Sequence, residues 1–299
     1  MSLWKAAATG LALAALLTSC GAAGGGETGP RPHVVAAFYP YAFVAQRVLG
    51  GDGTVTDLTR NGVEPHDLEL TPQQVAEIGA ADLVIYEKSF QPAVDAAVAQ
   101  NPPRLAINVA SIVPLRNTGN AVEGSLPADP HIWLNPLLLI PVVDEIAADA
   151  TTLRPADAAH YRADAARLVR QLRALDREYS RGLAHCRLRD FVTSHAAFGY
   201  LAERYHLTML PIAGLSPEAE PSPKHIAELQ QLIRQHHITT VFSEVLGTQK
   251  YADSLAHDLG VKAAVLDPIE GLTSSDPHAN YLTLMRSNLA ALRQANGCT

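Results

Sequence analysis

The sequence predicts an α/β fold with two similar parallel-sheet βα lobes, joined by one long connecting helix, and a cleft between them. Three observations carry this. Short, continuous apolar runs such as Val34-Val35-Ala36-Ala37-Phe38 recur along the chain, as expected of strands covered on both faces. Helical patterns separate these runs, an alternation that requires crossover connections and parallel strands. One helical pattern near the middle is far longer than the rest, and the alternation starts again beyond it.

Taken in order, strands are expected at 34–38, 54–58, 81–86 and 104–109, with helices at 41–49, from 72 onward and at 91–99. Gly50-Gly51 stops the first helix. Thr71-Pro72 opens the second, with Thr71 as cap and Pro72 in the first turn. Residues 114–128 are polar and irregular and read as a surface loop without histidine, and a helix follows over 137–150. The longest pattern covers 155–183. Tyr161, Ala165, Leu168, Leu172, Leu175 and Tyr179 form its apolar stripe, and Arg162, Arg170, Arg173 and Arg177 lie off it. At 1.5 Å per residue such a helix is about 40 Å long, enough to brace two lobes; a coiled-coil dimer seam is the rival reading. Strands follow at 189–193, 207–212, 239–242 and 262–266, and helices at 196–205, 222–236, 248–259 and 280–294. The expected organisation is a leader (1–20), a tether (21–32), an N-terminal lobe (33–153), the linking helix (154–184) and a C-terminal lobe (185–299).

The chain has 299 residues, of which 47% are hydrophobic, enough for a sizeable core. Its net charge of −7, without a basic block, argues against a nucleic-acid partner. Lys5 precedes an apolar run over 6–17, and Leu17-Thr18-Ser19-Cys20 has the small residues of a lipoprotein cleavage box. Cys20 is therefore expected to carry lipid and anchor an exported protein to the outer face of the cytoplasmic membrane. An ordinary signal peptide with an incidental cysteine is the alternative. Residues 21–32 are rich in Gly and Pro and read as a flexible tether. In an oxidising compartment Cys186 and Cys298 are expected to pair, with two free thiols as the alternative.

Several residues share one kind of address. His66 lies in the loop after the second strand, and His131 stands between Pro130 and Ile132-Trp133. His195 directly follows the strand ending at Thr193, and Asp267 follows the last strand. In open parallel sheets ligands bind beyond the carboxyl ends of strands. Facing lobes would bring His66 and His131 against His195 and Asp267. Three imidazoles and a carboxylate suit a four-coordinate Zn2+. None of the four sits at the short intervals of a helix-borne or finger-type zinc motif, so the residues alone leave open histidines satisfied by ordinary hydrogen bonds.

Four segments in order, Val63 through Leu70, Asp129 through Pro136, Ser194 through Leu201 and Val265 through Leu272, resemble the metal-binding solute receptors of bacterial zinc and manganese ABC importers, the cluster A-I type. The resemblance implies two α/β lobes joined by a long helix and a metal in the cleft, held by His66, His131, His195 and Asp267. Manganese receptors of this type resemble one another in a glutamate at the third position, where this chain has His195, so the resemblance points to zinc. Phe242-Ser243-Glu244 also resembles a family segment near the cleft, which gives Glu244 a supporting role without a bond to metal. The implied protein is a monomeric, non-enzymatic receptor that delivers Zn2+ to a permease driven by an ATPase, with little hinge opening. Many zinc receptors of this kind carry a His-rich loop where this chain has 114–128, which leaves auxiliary metal capture there without support. The rival readings are a zinc hydrolase using Glu64, Glu244 or Glu270 as base, a surface adhesin with structural metal, a receptor whose metal is manganese, and an α/β lipoprotein without metal.

Overall fold

The strand-forming runs are short, and the computed structural model places the parallel ones in two four-stranded sheets. It describes residues 30–117, 126, 128–247, 250–273 and 279–299. The first half alternates β1 (His33–Ala36), α1 (Tyr39–Leu49), β2 (Thr54–Asp57), α2 (Pro72–Ala80), β3 (Leu83–Tyr86), α3 (Pro92–Gln100) and β4 (Leu105–Asn108). Its four strands are parallel, in the order β2-β1-β3-β4. Next come an antiparallel pair, β5 (Arg116–Asn117) and β6 (Ala128–Asp129), then α4 (Leu139–Leu153) and α5 (Ala158–Gly182). The second half runs β7 (Asp190–Thr193), α6 (Gly199–Arg204), β8 (Thr208–Pro211), α7 (Pro223–Gln235), β9 (Thr240–Ser243), α8 (Lys250–Leu259), β10 (Lys262–Val265) and α9 (Tyr281–Asn296). Its parallel order is β10-β9-β7-β8. Read from the β8 edge, the second sheet repeats the order of the first.

Local chemistry sets the element ends. Thr71 and Gln74 form a reciprocal cap at the start of α2, and Gln74 Nε2 also donates to Leu58 O (2.8 Å). The 58–71 loop is thereby tied at both ends. The expected helix over 155–183 opens with a 3-10 turn at Pro155–Asp157 before α5 begins. The expected helix over 196–205 is likewise a 3-10 turn, Ala196–Phe198, followed by the short α6. The β5–β6 pair falls within the stretch read as an irregular loop. It is held from outside: Tyr200 Oη accepts from Arg116 N (2.7 Å) and donates to Asp129 O (2.8 Å), so β6 delivers the chain rigidly to His131.

The stripe expected on the long helix is buried: Tyr161, Ala165, Leu168, Leu172, Leu175 and Tyr179 all face the core. Each fully buried leucine contributes about 1.5–3 kcal/mol. One apolar cluster extends from β1 through α4 and α5 to α9, and a smaller one packs α7 and α8 on the second sheet. Residues Arg31–Thr299 form one compact unit with its own closed core. Cys186 and Cys298 are disulfide-bonded across 112 residues, which fastens the C-terminal end to the start of the second half. Cys20 lies outside the described residues. Among the described residues no helix is long and apolar enough to cross a membrane.

Candidate metal centre

The loops past the strand ends hold the site. His66 comes from the β2–α2 loop, His131 from the turn after β6, His195 from the residue pair after β7, and Glu270 from the segment after β10. One ligand-type atom from each lies within 4.8 Å of the others, and all four residues are buried. Glu270 Oε1 is 3.5 Å from His66 Nε2, 3.1 Å from His131 Nε2 and 3.5 Å from His195 Nε2. His131 Nε2 and His195 Nε2 are 3.3 Å apart.

The surrounding carboxylates decide what these atoms offer. His131 Nδ1 is 2.9 Å from Asp129 Oδ1, and His195 Nδ1 is 2.7 Å from Glu244 Oε1. An ionised carboxylate only accepts, so each Nδ1 carries the hydrogen and each Nε2 presents a lone pair to the centre. His131 and His195 thus turn acceptor nitrogens toward a Glu270 oxygen, and His66 Nε2 lies beside them. His66 Nε2 and Glu270 Oε2 are buried with no hydrogen-bond partner among the described residues. Such a cluster is satisfied by protons or by a cation. A regular tetrahedron with metal–ligand bonds of about 2.0–2.1 Å has edges of roughly 3.3–3.4 Å, and the four separations above bracket that value.

Burial alone would depress all three imidazole pKa values. At His66 it prevails over Glu270, and the pKa is lowered. At His131 burial is outweighed by hydrogen bonds with Asp129 and Glu270, and the pKa is raised. At His195 burial is outweighed by Glu244 and Glu270, and the pKa is raised well above the ordinary value. Burial would lift the Glu270 carboxyl, but the imidazoles of His131, His195 and His66 outweigh it and hold the pKa well below the usual range. The raised values at His131 and His195 and the lowered value at Glu270 share one cause, the close approach of this carboxylate to the two rings.

Asp267, expected as the fourth member, stands outside the group. Its Oδ1 accepts from Ile269 N (2.8 Å), its own N–H donates to Asn288 Oδ1 (2.9 Å), and its carbonyl accepts from Asn288 Nδ2 (2.6 Å). The short side chain is used to build the turn, a common role for Asp before Pro. Ile269 has φ +59°, a conformation that strains a β-branched residue, and Glu270 follows directly. Burial raises the Asp267 carboxyl to about 6, only partly offset by the Ile269 bond. Glu270 was visible from the sequence only as a potential base. The Asp-Pro turn signal three residues before it marks the difference. Asp129, two residues before His131, was also missed as that ring's partner; Glu244, expected near the cleft, lies 2.7 Å from His195 Nδ1.

Contacts between the halves fix the geometry. Trp133 Nε1 donates to Pro268 O (2.7 Å), Tyr281 Oη to Trp133 O (2.6 Å) and Gly62 N to Leu272 O (2.8 Å). Phe90 packs edge-on to the His66 ring at 4.7 Å. The turn bearing His131 is thereby clamped to the segment that carries Glu270.

Acceptor side chains gathered from the strand ends of two sheets, with one long helix bracing them, define a solute-binding protein of the ZnuA-like fold. The chain belongs to the family of ZnuA, the periplasmic component A of the zinc-uptake complex, whose pattern matches residues 34–295. It is 35% identical over 288 residues to the zinc-binding protein AdcA of Streptococcus pyogenes, covering 87% of this chain and 55% of that protein. It is 32% identical over 283 residues to the high-affinity zinc uptake system protein ZnuA of Bacillus subtilis, covering 89% of this chain and 88% of the relative. The crystal structure of the Zn(II)-bound ZnuA-like domain of Streptococcus pneumoniae AdcA superposes with a TM-score of 0.74 at 32% identity, covering 89% of this chain and 99% of that one. The chain spans about half the length of the AdcA relatives it matches. The family is one of extracytoplasmic solute-binding receptors.

Proposed function

We propose that this protein captures Zn2+ outside the cytoplasmic membrane and hands it to an ABC permease driven by an ATPase. The observation that carries this reading is the buried group of His66, His131, His195 and Glu270, whose acceptor separations fit four-coordinate zinc. Residues 33–153 supply two imidazoles and residues 185–299 the third and the carboxylate, with 154–184 as the strut between them. The imidazole at 195 favours Zn2+ over Mn2+, which prefers harder oxygen donors. Glu270 fills the fourth position, the one a hydrolytic zinc keeps for water, so the protein acts as a receptor and not as an enzyme. It works as a monomer, held to the membrane by lipid on Cys20.

Elemental analysis of protein purified without added metal, followed by competition with a chromophoric chelator, tests the reading. One zinc per chain is expected, lost in His131→Ala. An unchanged zinc affinity in that variant would remove the site. Fatty-acid labelling that is equal in wild type and Cys20→Ser would remove the anchor.

A further inference from the structure

We propose that the exposed arginine face of α5 is a membrane-apposition surface that rests on the phosphates of anionic phospholipid headgroups. The proposal builds on the reading of an exported, anchored receptor. In a chain of net charge −7, α5 carries twice as many arginines as acids. Arg162, Arg170, Arg173, Arg177 and Arg181 are exposed. At 100° per residue they fall within an arc of about 100°, on the side away from the buried stripe, and run along about 28 Å of helix.

These arginines differ from their neighbours. Arg167 is paired with Asp164, Arg204 with Asp176 and Arg286 with Glu178. Among the described residues the five have no such partner within ion-pair distance, although unpaired guanidinium groups are strong, planar phosphate donors. Grooves flank the row on both sides. One of about 720 Å³ lies between α4 and α5, with an apolar floor including Ala147, Ala165 and Val169. Arg162, Arg170 and Arg173 wall it, with Asp144 as the single acid. The other, about 490 Å³, lies between α5 and α9 beside Arg181 and Arg293.

The path of the chain selects the partner. Pro32 O accepts from Thr54 N (2.9 Å). In the same turn, Asp52 O accepts from Tyr161 Oη (3.3 Å) and Asp52 Oδ2 lies 3.0 Å from His160 Nδ1. The chain therefore enters the body beside the first turn of α5. Pro30 is ten residue steps beyond Cys20, a reach of at most about 36 Å from the lipid. A body on so short a leash meets headgroups, and the α5 face is the surface whose charge suits them. No residue of α5 belongs to the metal centre.

The test is flotation of the mature chain from position 20, carrying Cys20→Ser so that no lipid contributes. The body it contains, Arg31–Thr299, is a closed compact unit. The probes are phosphatidylcholine vesicles with and without about 30% phosphatidylglycerol, at roughly 0.05 M and 0.5 M salt. Binding is expected only with phosphatidylglycerol and only at low salt. The triple variant Arg162→Glu, Arg170→Glu, Arg173→Glu should partition about a hundredfold less. The control Lys224→Glu, Arg234→Glu, Lys262→Glu carries the same charge change elsewhere and should stay within about threefold. Unchanged zinc affinity in both variants shows that they are folded and separates this result from the metal reading. Equal partition onto both vesicle types, or equal loss in the control, overturns the proposal. So does a row that binds no vesicles yet is needed for zinc uptake by cells, which would assign it to an acidic protein partner. If Cys20 takes no lipid but the phosphatidylglycerol preference holds, the anchor fails and the arginine surface stands.

Discussion

Replacing Glu270 with glutamine separates the tetrad from the four residues expected on sequence alone. Glu270 Oε1 lies 3.1–3.5 Å from three imidazole nitrogens in a buried pocket. Gln keeps the shape and offers a neutral amide oxygen, so the change removes charge and little else. Structural zinc sites bind with about 10–16 kcal/mol in all, or roughly 2.5–4 kcal/mol per ligand. Loss of the anionic member should therefore weaken zinc binding about 10²–10³-fold. Asp267→Asn should behave differently, because an amide oxygen can still accept from Ile269 N and the backbone bonds to Asn288 remain. Its affinity should change by less than about fivefold. Chelator competition at neutral pH reads both values, and the zinc-induced rise in melting temperature gives an independent measure. A larger loss in Asp267→Asn than in Glu270→Gln would refute the assignment.

Further outcomes follow from the same geometry. Glu244→Ala removes the acceptor on His195 Nδ1, so zinc affinity should drop about 10–100-fold with the fold intact, as read by chelator competition and circular dichroism. His131 and His195 have raised pKa values in the metal-free state, so zinc must displace protons, and its affinity should fall as pH drops, starting above the ordinary histidine value of about 6.5. The sign for metal-free stability is opposite: the contribution of these two groups is fully present below about pH 6.5 and is lost as pH rises through their raised values, so melting with a chelator present should worsen toward alkaline pH while the zinc-loaded form does not. Burial lifts the Glu87 carboxyl to about 8, against the hydrogen bond from Tyr41, so its stabilising effect fades from the ordinary 4.5 up to that value; Glu87→Gln should flatten the thermal-stability profile across this window. Replacing both Cys186 and Cys298 with serine opens a 112-residue loop and should cost about 4–5 kcal/mol on the chain-entropy model, measured by denaturant unfolding.

The parallel sheets were legible chiefly through their central strands β1, β3, β7 and β9, which are buried and read as short apolar runs, whereas the edge strands are partly exposed. The long helix was legible because one face had to be apolar along its full length. The three histidines were legible as residues placed just past strand ends. Glu270 was not, because the distinction from Asp267 depends on a turn in which the shorter carboxylate bonds to its own backbone and Ile269 takes a positive φ. No periodicity encodes that. The β5–β6 pair was hidden for a related reason: its stability comes from Tyr200, more than 70 residues away, and not from its own two-residue strands. The Asp129 and Glu244 contacts also depend on tertiary placement, and only the second was suggested by a family segment.

The shared strand order of the two sheets has a consequence for how such a binding centre can change. Each half repeats one wiring plan, yet neither alone can enclose an ion: one brings a pair of rings, the other a ring and an acid. Selectivity is thus divided between two structural copies, and a substitution in one can retune the preferred ion while the other continues to supply its donors unchanged.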